Sequence, residues 1–207
     1  MKWLGSKTTQ PIRSASDREA IERFLYRRSA RDHALFVFGT RTGRRITDLV
    51  KLNVGDVAFI DSRGRLCVKE RFEITEKKTG KRANIIIHPK ARRVLSRYFR
   101  ERMNEAPSKG RLLLEPLFKS RQRNGDGEYR IGTSHAWRIL KKAATACKLN
   151  YRVGTHSLRK TFGYCLYHEG TNLELIQKLL NHSSPEITLA YIGITQDNLD
   201  EAILALP

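Results

Sequence analysis

Thr155-His156-Ser157-Leu158-Arg159 sets an imidazole and a guanidinium three residues apart, which on a helix puts both on one face. The stretch opens a series of predicted helices over 156–168, 172–181 and 185–191, preceded by one at about 134–148. A guanidinium can grip two non-bridging oxygens of a phosphate at once, and an imidazole can move a proton near neutral pH. That combination suits a phosphate ester. The spacing alone does not separate a site from two surface side chains.

Three further stretches carry reactive groups. Leu179-Leu180-Asn181-His182-Ser183-Ser184-Pro185 leads through a turn into a short helix that ends near Tyr191, nine residues after His182. Thr42-Gly43-Arg44-Arg45-Ile46-Thr47-Asp48-Leu49 places arginines at a helix start after a glycine turn, where a cation can be aimed at a phosphate. Glu76-Lys77-Lys78-Thr79-Gly80-Lys81 is a basic tip on a predicted hairpin. Each has an ordinary structural alternative: a core tyrosine, a capping histidine, an arginine paired with Asp48, a solvated turn.

The pattern around these stretches is helical with one interruption. Ser16-Asp17-Arg18-Glu19 reads as a capping box, with Ala20, Ile21, Phe24 and Leu25 on one face behind it. Ala34 to Phe38 lie on a second helix that stops between Gly39 and Gly43, and a third, short one spans Arg45 to Leu52. From about 56 to 88 the period changes to that of strands: Val57–Ile60, Leu66–Val68, Phe72–Ile74 and Ile85–Ile87, with turns at Arg63-Gly64 and Thr79-Gly80. This predicts a patch of about three antiparallel strands. Pro89 starts another helix at its first turn, with Val94, Leu95, Tyr98 and Phe99 apolar. Residues 104–132 are rich in Pro and Gly and read as loop, open to movement. A last helix is predicted over 196–205. The fold class is therefore mainly α with a small antiparallel β-sheet (α+β), organised as an N-terminal arm (1–14) and one domain (15–207) whose end, 192–207, is a tail or helix.

The chain has 207 residues, 40 Lys plus Arg against 21 Asp plus Glu, and a net charge of +19. Residues 192–207 hold three acids and no Lys or Arg, so residues 1–191 carry 40 basic and 18 acidic groups, a net +22. A body this cationic points to a polyanionic partner, most often nucleic acid. It excludes an acidic, solvating class. No apolar run approaches the ~20 residues of a membrane span, and no apolar core of a signal peptide follows Met1. Cys67, Cys147 and Cys165 lie far apart with no C-x-x-C pair, which speaks against a disulfide framework or a zinc ribbon. A reduced, cytoplasmic protein associated with the nucleoid is expected.

Taken in order, the four stretches resemble the tyrosine recombinase (phage integrase) family. The resemblance covers about residues 15–205 and rests on Thr-Gly-x-Arg-Ile-Thr-Asp-Leu with Leu52 and Asp56 downstream, Lys-Thr-Gly on a hairpin, His-x-Leu-Arg, and Leu-x-x-His followed by Thr-x-x-Tyr. Type IB topoisomerases share the chemistry, but the boxes match the recombinase form. The resemblance implies the catalytic-domain fold of a DNA breaking-rejoining enzyme. It assigns Tyr191 as nucleophile, with Arg45, Lys78, His156, Arg159 and His182 as the remaining catalytic set. Asn181 departs from the glycine common before that histidine. Arg44, Lys77, Lys81, Arg138, Lys141 and Lys142 are expected DNA-contacting residues.

The implied activity is site-specific cleavage and rejoining of DNA through a 3′-phosphotyrosyl link, without metal, ATP or any other cofactor. The implied partners are double-stranded DNA and three further copies of the chain in a tetramer on paired sites. The C-terminal helix, with Leu199, Ile203 and Leu206, is then expected to dock in trans. Substitution of Arg159 by alanine is expected to cut cleavage by several orders of magnitude and leave the fold intact. Only some forty residues precede Arg45, so no core-binding domain is seen. The competing reading is a catalytically silent DNA-binding regulator on the same fold.

Overall fold

The structure, a computed structural model, describes residues 8–77, 79–106, 108–123, 125, 127–194 and 203–204. Ser14 begins the first helix, α1 (Ala15–Arg28): its extended backbone lets Oγ accept from the Asp17 N–H. The cap expected at Ser16 is thus two residues earlier, and Ser16 Oγ instead hydrogen-bonds Ser14 Oγ (2.6 Å). Ser29 ends α1 and, in the same extended conformation, caps α2 (Ala30–Thr42) through the Asp32 N–H. Nearly every apolar side chain of α2 is buried, Leu35 and Phe38 completely. This helix is the central post, packed against α1 and two later helices.

Gly43 closes α2 in the left-handed region (φ 62°), and a Cβ there would stand 2.3 Å from Phe162. No L-residue with a side chain fits both demands. The chain then makes α3 (Ile46–Leu49) and α4 (Val54–Val57), so the short helix expected over 45–52 ends at Leu49, and a separate helical turn follows it. Four strands follow rather than three, and they form two separate two-stranded sheets: β1 (Ala58–Ile60) with β2 (Leu66–Val68), and β3 (Arg71–Thr75) with β4 (Arg82–Ile86), each pair antiparallel. In β3, Phe72 and Ile74 face the core while Arg71, Glu73 and Thr75 face out, the alternation that a sheet packed on one side requires.

Pro89 opens α5 (Pro89–Met103) as expected. The stretch read as loop, 104–132, is anchored among its described residues. It contains α6 (Lys109–Leu114), and Leu112, Leu117, Phe118 and Ile131 are fully buried. Buried Arg102 of α5 donates to the Pro116 and Leu117 carbonyls and pairs with Glu115. Long-range anchors of this kind leave no periodicity in the sequence. The helices α7 (Thr133–Ala146), α8 (Thr155–His168), α9 (Leu173–Leu180) and α10 (Pro185–Ile192) follow, within two residues of the expected bounds. Ile176, Leu180 and Ile192 form a second, smaller core under α9 and α10, with Phe162 and Tyr191 against it.

Of the segment read as an arm, residues 9–13 lie against the domain. Ile12 is fully buried and its N–H donates to Thr161 Oγ1 (2.8 Å), and Arg13 donates to the Gly193 carbonyl (3.0 Å) just past α10. The helix expected at 196–205 lies outside the described residues apart from Ile203 and Leu204, which are exposed; Leu199 and Leu206 also lie outside them.

Candidate active site

Five of the six expected catalytic residues converge where α3, α8, α9 and α10 meet. Arg45 is the N-cap of α3 and Arg159 lies in the second turn of α8. His182 follows the C-cap of α9, and Tyr191 is in the last turn of α10. The His182 and Tyr191 rings meet edge to face with centroids 4.8 Å apart. His182 Nδ1 is 3.2 Å from Thr188 Oγ1, a bond across the Ser184-Pro185 turn that fixes the ring. Arg159 lies close enough to Tyr191 for its charge to act on the phenol. His156 sits one turn before Arg159, exposed at the rim of the cluster. The sixth residue, Lys78, lies outside the described residues.

Electrostatics follow from this crowding of cations. Burial pushes the Tyr191 phenol above its usual range, with Arg159 and Arg45 opposing. Removal from water, then the charges of Arg159 and Arg45, pulls His182 down to about 4. Partial desolvation, Lys160, Arg159 and Arg45 lower His156. Burial brings Arg159 down to about 10, so it stays charged at neutral pH. The free site at pH 7 is therefore two neutral imidazoles and a neutral phenol surrounded by guanidinium charge. An anion is the ligand such a site is built to receive.

Arg44 and Arg45 have different fates. Arg44 is buried, and its nitrogens donate to the Thr42 carbonyl, Glu76 Oε1 and the Leu179 carbonyl. It is spent inside the protein, so the expectation that it contacts DNA gives way. Arg45 keeps 20% of its side chain exposed and binds Glu76 Oε2 at 2.7 Å. Lys77 and Lys81 are exposed at the hairpin tip, and Lys81 Nζ reaches Asn181 Oδ1 (3.2 Å). Arg138, Lys141 and Lys142 lie on the exposed face of α7 beside half-exposed Trp137, with Lys141 Nζ 4.9 Å from its ring.

Three residues near the cluster were not singled out by the sequence reading. Glu76 is buried against both arginines. Asp48 is buried and takes the Lys77 N–H on Oδ1 (3.2 Å). Lys160 holds its ammonium 5.3 Å from the Tyr191 ring. Acids inside so basic a chain were the available signal for the first two. Asn181, the departure from the usual glycine, adopts the left-handed conformation (φ 50°) itself, which Asn tolerates better than other side chains. Among the described residues no three His, Cys, Asp or Glu side chains cluster as metal ligands, and no helix is long and apolar enough to cross a membrane.

Comparison with known proteins places the chain in a family. Residues 14–197 match the model of the phage integrase family. The probable integrase/recombinase YoeC of Bacillus subtilis is 37% identical over 188 residues, 91% of each chain. The tyrosine recombinase XerD of Corynebacterium glutamicum is 32% identical over 171 residues, covering 83% of this chain and 51% of its own length. The chain thus spans most of the first relative and about half of the second. Among solved structures, XerA recombinase superposes with a TM-score of 0.68 at 20% identity, over 95% of this chain and 65% of that one. XerH recombinase, bound to palindromic difH substrate after cleavage, gives 0.67 at 20% identity, over 97% and 54%. These two likenesses speak for the fold. By family model and by relatives, the chain belongs to the phage integrase family of tyrosine-type site-specific recombinases.

Proposed function

We propose that the chain cleaves and rejoins duplex DNA with Tyr191 as nucleophile. The observation that carries this is the meeting of Tyr191, Arg159, Arg45, His182 and His156 from four separate helices at one place. The Tyr191 oxygen attacks the scissile phosphorus, forming a P–O bond to the 3′ side while the bond to the 5′-oxygen breaks. The phenol is held protonated by burial, so attack needs a base. His156, kept neutral, takes that proton and returns it on resealing. Arg159 and Arg45 face the non-bridging oxygens and offset the charge that grows in the pentacoordinate transition state. His182 donates to one of the same oxygens, and Lys78 protonates the departing 5′-oxygen. These side chains supply the charge stabilisation that metals give other nucleases.

The phosphotyrosyl link conserves the phosphodiester energy, so a 5′-hydroxyl from a second duplex can reseal it without ATP. Duplex DNA is accordingly the substrate, with the cationic face of α7 as a further contact. A tetramer on paired sites, with the acidic C-terminal segment on a neighbouring cationic body, is the assembly that strand exchange calls for. The test is covalent trapping on nicked duplexes from the neighbouring genome, without metal, beside Tyr191→Phe. A denaturant-resistant adduct absent from that variant is expected. DNA that is bound yet never joined to the wild-type chain favours the silent regulator.

A further inference from the structure

Glu76, at the end of β3, is 2% exposed in a chain with nearly twice as many basic as acidic residues. Its Oε1 accepts from Arg44 Nη1 (2.9 Å). Its Oε2 accepts from Arg45 Nη1 (2.7 Å), Thr79 Oγ1 (3.1 Å) and Asn181 Nδ2 (3.3 Å). Four donors thus reach one carboxylate from three places: the turn between α2 and α3, the β3–β4 hairpin tip, and the C-cap of α9. Those are the places that carry Arg45, the basic tip and His182.

Two features separate this from an ordinary buried ion pair. Arg45 makes no other side-chain hydrogen bond among the described residues, so Glu76 holds its guanidinium by Nη1 and leaves Nε and Nη2 uncommitted on a side chain that is 20% exposed. In addition, Glu76, with Asp48 nearby, subtracts charge from a site otherwise built of cations. A site shaped only for positive potential would do better without this carboxylate. What it contributes is orientation: a planar guanidinium anchored at one nitrogen has its remaining donors restricted in direction. Asn181 joins the same network from the other side, bridging Glu76 and Lys81 through its amide while its left-handed backbone turns the chain into His182. Glycine there would make the turn but not the bridge.

The geometry points to Glu76, assisted by Asn181, as the positioning residue that aims Arg45 at the non-bridging oxygens of the scissile phosphate and ties the hairpin tip and His182 to the same frame. The inference rests on the strand-cleavage reading above and adds two residues to it. Arg44 is then the second strut: it balances the Glu76 charge so that Arg45 need not be fully neutralised.

The experiment uses the full chain and a nicked duplex that the wild type cleaves. The duplex is made in two forms, with the ordinary phosphodiester and with a methylphosphonate at the scissile position. The methyl group removes the charge that a correctly aimed Arg45 offsets. Glu76→Gln, which keeps shape and an acceptor, is expected to slow single-turnover adduct formation on the phosphodiester by roughly tenfold to a hundredfold, the scale of ångström-level misplacement. DNA affinity stays near wild type; the melting temperature falls, because buried Arg44 loses its countercharge, so rates are compared well below both melting temperatures, and the deficit shrinks several-fold on the methylphosphonate. Asn181→Gly, which keeps the backbone turn, shows a smaller deficit with the same dependence on substrate and carries the test alone should Glu76→Gln fail to fold. Equal slowing on both substrates, or no slowing on either, overturns the assignment. The wild-type reaction reports separately on the reading beneath it: a chain that joins itself to no duplex removes strand cleavage, and positioning with it.

Discussion

Arg159→Ala is expected to cost stability as well as cleavage, because this side chain does two jobs. It is 3% exposed, donates through Nη1 to the Gly43 carbonyl (2.8 Å) and through Nη2 to the Leu180 carbonyl, and sets its charge beside the Tyr191 phenol. The first bond secures the left-handed end of α2, and the second secures the last turn of α9 ahead of Asn181. Truncation strands two buried carbonyl oxygens, each worth about 1–3 kcal/mol when left unpaired, so about 2–6 kcal/mol of stability goes. At about 2–4 °C per kcal/mol for a domain of this size, the melting temperature falls by roughly 4–24 °C. The sequence-based expectation of an intact fold is thereby revised. Urea unfolding gives the free energy, and adduct formation measured well below both melting temperatures isolates chemistry, where loss of a charged donor should exceed the ~10²–10³ of a neutral one. A variant within ~0.5 kcal/mol of wild type, the size of an ordinary surface change, refutes the structural half of the argument. Cleavage within tenfold of wild type refutes the other half.

Two further outcomes follow from the same geometry. His182 has a folded pKa of about 4 against ~6.5 unfolded, so between those values the unfolded chain binds the proton first and stability falls as pH drops; melting temperatures from pH 7 to 4.5 should fall more steeply for wild type than for His182→Asn, and equal slopes refute the burial of that ring. Arg138→Ala and Lys142→Ala, on the exposed face of α7, should each lower the salt dependence of DNA binding by about one ion with melting unchanged; an unaltered slope in quantitative binding titrations would take α7 away from the phosphates.

What could be read from the sequence and what could not divide along a physical line. Pro89 and Pro185 mark helix starts because a missing N–H and a fixed φ suit only that position, and α5 and α10 begin there. Arg159, His182 and Tyr191 were placed by motif order, and the fold brings them together. The choice between Ser14 and Ser16 as cap was not legible, since both offer a hydroxyl and only the extended backbone at Ser14 decides. The pairing of strands into two sheets rather than one depends on contacts across the chain, as does the anchoring of 104–132 by Leu117, Phe118 and Ile131. Arg44 and Arg45 are indistinguishable as letters. A one-residue step along the turn between α2 and α3 sends the first into Glu76 and two carbonyls, and leaves the second partly open.

The identity of the nucleophile is the claim on which everything else depends. The adduct formed on a nicked duplex is digested with protease, and the DNA-bearing peptide is sequenced by mass spectrometry. The account predicts one modified residue, Tyr191 in Ile187–Ile192, joined to a 3′-phosphate, with a free 5′-hydroxyl on the released strand. Attachment at another tyrosine, such as half-buried Tyr164 on the neighbouring α8, or through a 5′-phosphate, would contradict it.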